Sequence, residues 1–240
     1  MRQIIEDRIQ KPFIGTAEED EIIYTMLDLE QYIGREITWV SGLTFDEVVK
    51  TKGGWLPNKL HRYCTHWLKL EPMFYWWAEN IGKPVEMRIG FRANEQSRAI
   101  SMQEKLNKNG FLEFSATFEK HKSGTNKGKN KWELIEWQKP SFPLIYDSIF
   151  KDNIQKFWKD KPVRFANQNN CVGCFHRHPI LLRKKWEDQP KKMEWFAKQE
   201  GGKKNYWRGE GSYYDFKKWK LQLELDFDDF GKCDTGGCGI

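Results

Sequence analysis

Five cysteines, Cys64, Cys171, Cys174, Cys233 and Cys238, are the residues of this 240-residue chain best able to do chemistry. Cys171 and Cys174 stand two residues apart in NCVGCF, a spacing that lets both sulfurs face one metal ion or cluster. One such pair is half of a four-ligand site. Tetrahedral zinc would need two more donors: Cys64 is one candidate, with His176, His178, Cys233 or Cys238 as the other. The odd count and the lack of a secretion signal favour metal or redox chemistry over structural disulfides. The plainer alternative is two unlinked core thiols, against which the polar loop NQNNCVGCFHRHP argues.

Cys64 lies in RYCTHWLKLEP, flanked by Arg62, His66 and Lys69. Positive neighbours favour thiolate, the form that attacks electrophiles and binds metals. A buried thiol on an amphipathic helix would account for Cys64 equally well. A third cluster, MRIGFRANEQSRA, crowds Arg88, Arg92 and Arg98 beyond the carboxyl end of an expected strand. In open α/β sheets ligands sit there, and guanidinium forks suit phosphate or sulfate oxygens. The competing reading is a loop tied by Glu95 and Glu86, with Arg88 facing solvent.

Elements must position these residues. KPFIGT (11–16), EITWVS (36–41) and VEMRIGF (85–91) read as strands. Glu18 to Ile33 carries apolar residues at helical spacing and meets Gly34 as a C-cap. TFDEVVK opens a helix with Thr44 as N-cap and Glu47 completing a capping box. A helix from His61 to Asn80 is expected to break near Pro72. Strands alternating with helices imply βαβ units and a parallel sheet. After Arg98 the pattern changes: FLEFSATFEK and KWELIEWQK alternate apolar and polar residues, predicting a β-hairpin around a Gly/Asn/Lys-rich turn. Helices follow at 151–159, 180–187 and 191–200, the last two separated by Pro190. The tail from Gly201 is rich in Gly, Lys and aromatics and ends in KCDTGGCGI.

Taken together, RYCTHWLKLEP, then RIGFRANEQSRA, then NCVGCF resemble, in order and spacing, the PAPS reductase-like proteins of the adenine-nucleotide α-hydrolase superfamily, many of them phage-borne. FIGTAEEDEIIYTMLDLEQYIGREITWV looks like that family's second strand and helix, with Gly15 where an aspartate is expected. The resemblance spans roughly Lys11 to Glu200. The family opens with strand–SGGKDS–helix, whose amides hold a nucleotide phosphate, and the sequence has no such loop. The expected fold is therefore α/β: a Rossmann-like parallel sheet missing its first βα unit, an inserted β-hairpin and a helical Cys-containing C-terminal region. The expected divisions are a truncated core over 1–105, hairpin and Cys-x-x-Cys region over 106–200, and a Gly/Cys-rich tail over 201–240.

The resemblance implies a [4Fe–4S] cluster held by Cys64, Cys171 and Cys174, with Thr65 where the cluster-bearing reductases carry a second adjacent cysteine. Zinc is the alternative cofactor. The final CGI is similar to the reductases' C-terminal motif, which casts Cys238 as a nucleophile toward the sulfonucleotide sulfur. Arg88, Arg92 and Arg98 would hold phosphate, while Arg62 and Lys69 would neutralise charge. The expected function is sulfonucleotide reduction or sulfur transfer onto nucleic acid, with ATP activation left to a P-loop-bearing partner chain. The contrasting expectation is a catalytically inactive binding or assembly module that retains the fold and the metal site. Net charge is +6, which favours polyanionic partners such as sulfonucleotide or nucleic acid, although scattered basic residues read first as solvated surface. No stretch approaches the ~20 apolar residues of a membrane span, and MRQIIEDRIQ lacks a signal-peptide pattern, so a cytoplasmic protein with no membrane contact is expected.

Overall fold

The structure, a computed structural model, describes residues 2–11, 17–164, 170–201 and 205–221. In chain order the helices and strands are α1 (Arg2–Ile9), α2 (Asp20–Ile33), α3 (Phe45–Thr51), α4 (Tyr63–Thr65), a π-helical turn (His66–Leu70), α5 (Glu71–Asn80), β1 (Val85–Arg88), a 3-10 turn (Ala93–Glu95), α6 (Gln96–Gln103), β2 (Leu112–Lys120), β3 (Asn130–Ser141), α7 (Pro143–Tyr146), α8 (Lys151–Trp158), α9 (Pro179–Asp188), α10 (Pro190–Gln199) and α11 (Tyr213–Lys217). They form two compact units, one from residues 1–72 with 157–240 and the other from 73–156. The limits differ from divisions at 105 and 200, because the hairpin strands pair with β1 and pack on α5 within the second unit.

The class is mixed α/β. Among the described residues the sheet has three strands in the order β1-β3-β2. β1 runs parallel to β3, from Val85 opposite Gln138 to Arg88 opposite Ser141, and β2 pairs antiparallel with β3. The β2–β3 hairpin forms where the alternation of FLEFSATFEK and KWELIEWQK places it, with Leu112, Phe114 and Ala116 buried and their neighbours Glu113 and Ser115 exposed. Its core is aromatic: Phe74 of α5 stacks on Phe114 at 4.3 Å and 16°, and Trp137 meets both rings edge-on.

Several expected elements take another form. Residues 36–41 belong to no strand. The Ile37 amide donates instead to the Glu30 carboxylate at 2.9 Å, so a side chain of α2 takes a group that a ladder would have used. Residues 12–16, the expected first strand, lie outside the described residues. β1 stops at Arg88 because the Phe91 amide turns back to the Ile89 carbonyl at 2.9 Å. Pro72 does not break its helix. The π-helical turn His66–Leu70 precedes it, and a widened turn relieves the clash and lost hydrogen bond that proline imposes on an α-helix.

Local signals elsewhere held. Glu47 N–H donates to Thr44 Oγ1 at 3.2 Å while Glu47 Oε2 accepts from the Thr44 amide at 2.7 Å, closing the capping box. Gly34 sits at φ 62°, the left-handed conformation that ends α2.

The first unit is built round α9, α10 and α11, whose Leu182, Trp186, Met193, Phe196, Tyr213 and Phe216 share one core with Val172, Phe175 and Trp207. Its buried rings have polar partners: Trp186 Nε1 donates to Tyr213 O at 3.0 Å, Trp207 Nε1 to Phe196 O at 2.7 Å, and Tyr213 Oη to Gly173 O at 2.8 Å. Gly173, between the two cysteines, lies flat on the Phe196 ring, and a Cβ there would come within 2.3 Å of Phe196 Cγ. That ring is fully packed and cannot swing aside. Gly173→Ala should therefore cost roughly 1–3 kcal/mol of overpacking, measured as a lowered midpoint in chemical denaturation.

Candidate functional site

The loop Asn170–Arg177 and the end of the α4/π-helical segment enclose a cavity of about 50 Å³ in the first unit, lined by Arg62, Cys64, Lys69, Cys171, Cys174 and His176 among others. A single water needs only about 10–15 Å³ by a comparable measure, so there is room for an ion with bound solvent. The three cysteines expected to act together thus line one cavity. Cys174 is buried, Cys64 and Cys171 are half-buried, and none of the three is in a disulfide.

Helix geometry brings Cys64 here: α4 and the π-helical turn carry Arg62, Cys64 and Lys69 to one wall. The opposite wall is a loop held through its backbone. Arg177 is fully buried and donates to the carbonyls of Cys171 at 2.9 Å and Asn170 at 2.8 Å, while its Nη2 meets Glu19 Oε1 at 2.9 Å. Arg208, also buried, donates to Phe175 O at 2.8 Å and to Arg177 O, and ion-pairs with Glu210 at 2.8 Å. The Val172 amide donates to Ala17 O at 2.7 Å, tying the loop to the start of α2. Glu19 is shared, because Lys185 of α9 reaches it at 3.0 Å.

The electrostatics follow from this packing. His176 is pushed down to about 4, first by burial and then by the positive charges of Arg62, Lys59 and Arg208, so its imidazole is neutral near pH 7. Its ring lies against Phe175, with centroids 4.5 Å apart. His176 Nε2 is enclosed and has no hydrogen-bond partner, an arrangement that usually costs about 1–3 kcal/mol. Tyr63, next to Cys64, is pushed up to about 12 by burial and by Cys64. Behind the cavity, Glu200 is raised to about 7 by burial, although it accepts from the Tyr213 amide at 2.8 Å and the Trp207 amide at 3.4 Å.

Three thiols and an unpartnered imidazole nitrogen are the kind of donors that zinc and iron–sulfur centres take. Among the described residues no three His, Cys, Asp or Glu side chains are already gathered to hold an ion. The donors therefore fit such a group by type and by shared cavity, and binding would have to draw them in. His178, the other histidine weighed as a ligand, is engaged elsewhere: its Nδ1 accepts from the Ile180 amide at 3.3 Å and caps α9. Cys233 and Cys238 lie outside the described residues.

Arg88, Arg92 and Arg98 belong to the second unit, where Glu95 organises the last two. Glu95 is buried and pairs with Arg92 at 3.0 Å and with Arg98. Arg98 also covers the Phe91 ring at 4.0 Å. Arg88, on an exposed strand position, lies 3.7 Å from Glu86. Lys69, in the first unit, pairs with Glu18 at 3.3 Å. Motif reading missed Glu19, Arg177 and Arg208. The sequence offers only an arginine three positions past Cys174 and a carboxylate before α2, neither of which announces burial.

No protein-family model, no curated protein and no solved structure matches this chain. Among the described residues no helix is long and apolar enough to cross a membrane.

Removing the Arg177 guanidinium leaves Glu19 to Lys185 alone and takes the donor from the Cys171 and Asn170 carbonyls, at about 1–3 kcal/mol for each orphaned group. Arg177→Met should lose stability of that order in urea denaturation, whereas Lys198→Met, on an exposed i,i+4 pair with Glu194, should lose about 0.5 kcal/mol or less. Glu200 supplies a pH test. Its folded value near 7 lies above its ordinary 4.5, so the native state keeps a proton that the unfolded chain releases. Its contribution is complete below pH 4.5 and is lost as pH rises toward 7. The thermal stability of Glu200→Gln relative to the unsubstituted protein should therefore climb from pH 5 to pH 8. A flat difference would show that burial does not govern this carboxyl.

Proposed function

We propose that this chain is a PAPS reductase-like protein of sulfur metabolism, acting in sulfonucleotide reduction or in sulfur transfer onto nucleic acid, with a P-loop-bearing partner chain activating the nucleotide. The supporting observation is that RYCTHWLKLEP and NCVGCF, far apart in sequence, contribute Cys64, Cys171 and Cys174 to one cavity edged by Arg62 and Lys69. Thiols beside positive charge suit an anionic, sulfur-bearing substrate. The proposed cofactor is a [4Fe–4S] cluster held by the three cysteines, which would supply electrons or an open iron for sulfur; zinc is the alternative. Arg62 and Lys69 would neutralise substrate charge, Arg88, Arg92 and Arg98 would hold phosphate, and Cys238 would be the nucleophile. The finer fold proposal is the Rossmann-like parallel arrangement of that family.

A second reading has its own observation. Glu95 already occupies Arg92 and Arg98, as expected of a binding or assembly module whose arginines are structural. Both readings keep the metal site, so sulfonucleotide turnover by the reconstituted protein, with a P-loop-bearing partner supplying the activated nucleotide, separates them. Anaerobic reconstitution with iron and sulfide tests the cofactor: the cluster proposal expects a brown protein with broad visible absorbance, and loss of bound iron in Cys171→Ser. A protein that retains no iron after that treatment, and no zinc when zinc is offered instead, removes both cofactor proposals.

A further inference from the structure

We infer that His176 is the fourth ligand of this centre, binding through Nε2 alongside Cys64, Cys171 and Cys174. The inference rests on reading the cavity as a metal centre and goes beyond it by naming a donor that the three-cysteine arrangement lacks. Three observations point there. His176 lines the same cavity as the thiols. Its Nε2 is enclosed yet has no hydrogen-bond partner, although nearly every buried polar atom in a folded protein is satisfied. And the other nearby histidine, His178, is spent on capping α9, so the two imidazoles of FHRHP have separate uses.

The ring is also held for the task. Phe175 lies against it, and Arg208 grips the carbonyls of Phe175 and Arg177 on either side of it in sequence. The backbone that carries His176 is therefore fixed by the same clamp that fixes the cysteine loop. A set of three thiolates and one imidazole is a standard tetrahedral zinc environment. The donors are not yet gathered, so the ion itself closes the site, as ligation commonly couples to local ordering.

The test uses the full chain stripped of metal and titrated with zinc or cobalt(II) against a competing chelator. The unsubstituted protein should take one ion, with the intense visible bands of tetrahedral cobalt. Loss of residues that merely orient a ligand already weakens metal binding about 10–100-fold, so His176→Ala should weaken it at least that much. His176→Cys should restore it, and His178→Ala should leave it unchanged. X-ray absorption on the unsubstituted zinc protein gives a readout free of any variant: three sulfurs at ~2.3 Å and one nitrogen at ~2.0 Å. Four sulfurs, or unchanged affinity in His176→Ala while Cys171→Ser loses the ion, overturns the His176 assignment and leaves the metal centre standing. No binding of zinc or cobalt by the unsubstituted protein overturns this inference, and failure also to take iron on anaerobic reconstitution overturns the metal reading with it.

Discussion

A guanidinium with no exposure to solvent is the constraint round which the first unit is arranged. Arg177 cannot shed its charge, and an uncompensated ion of that size in a low-dielectric interior is prohibitively costly. The surroundings answer with one carboxylate, Glu19, and two backbone carbonyls, those of Asn170 and Cys171. Each acceptor fixes something else. Glu19 precedes α2 and also binds Lys185 of α9, so α2 and α9 are bound to a common charge. The carbonyls belong to the cysteine loop, so the positions of Cys171 and Cys174 depend on where Arg177 is. Such a pair is poor evidence of net stabilisation, since hydrophobic replacements of buried ion pairs are often as stable. Its directional bonds serve better to specify one loop conformation.

Arg208 extends the same logic. Its bonds to Phe175 and Arg177 carbonyls continue those of Arg177 to Asn170 and Cys171. A turn without helix or strand would otherwise bury carbonyls with no donors; two arginines supply them. The result is a rigid loop in a cationic setting, and the His176 imidazole, kept neutral by burial and that charge, follows from the same arrangement. Gly173 completes it by letting the loop settle against Phe196.

What could be read from the sequence was what depends on neighbours along the chain. The Thr44–Glu47 box, the Gly34 cap, the β2–β3 hairpin and the pair of helices split by Pro190 are decided within a few residues, and each formed. EITWVS is rich in the β-branched and aromatic residues that strands favour, but a strand exists only with a partner, and here the Ile37 amide found Glu30 instead. The cysteine set was legible because thiols are few and their spacing restrictive. Glu19, Arg177, Lys185 and Arg208 were not, since charged residues read by default as solvated surface. Lys185, in the basic run LLRKKW, is buried for a reason that lies 166 residues away in sequence at Glu19.

The two arginine clusters show why residue type alone does not assign an anion site. Arg92 and Arg98 share the buried carboxylate of Glu95, and Glu95 is held ionised against its burial by hydrogen bonds from both. For a phosphate to bind there it would have to compete with an acceptor already in place and already desolvated, so any gain is limited to the difference between the two. In the first unit the carboxylate partners of the clamp, Glu19 and Glu210, are matched to Arg177, Lys185 and Arg208, while the cavity wall itself carries thiols, Arg62 and Lys69, the last in a partly exposed pair with Glu18. An electron-rich sulfur ligand or metal entering there need not displace a buried ion pair. On that comparison an entering ligand displaces less in the thiol-lined cavity, and the Arg92–Glu95–Arg98 cluster is the better place for fixing a loop.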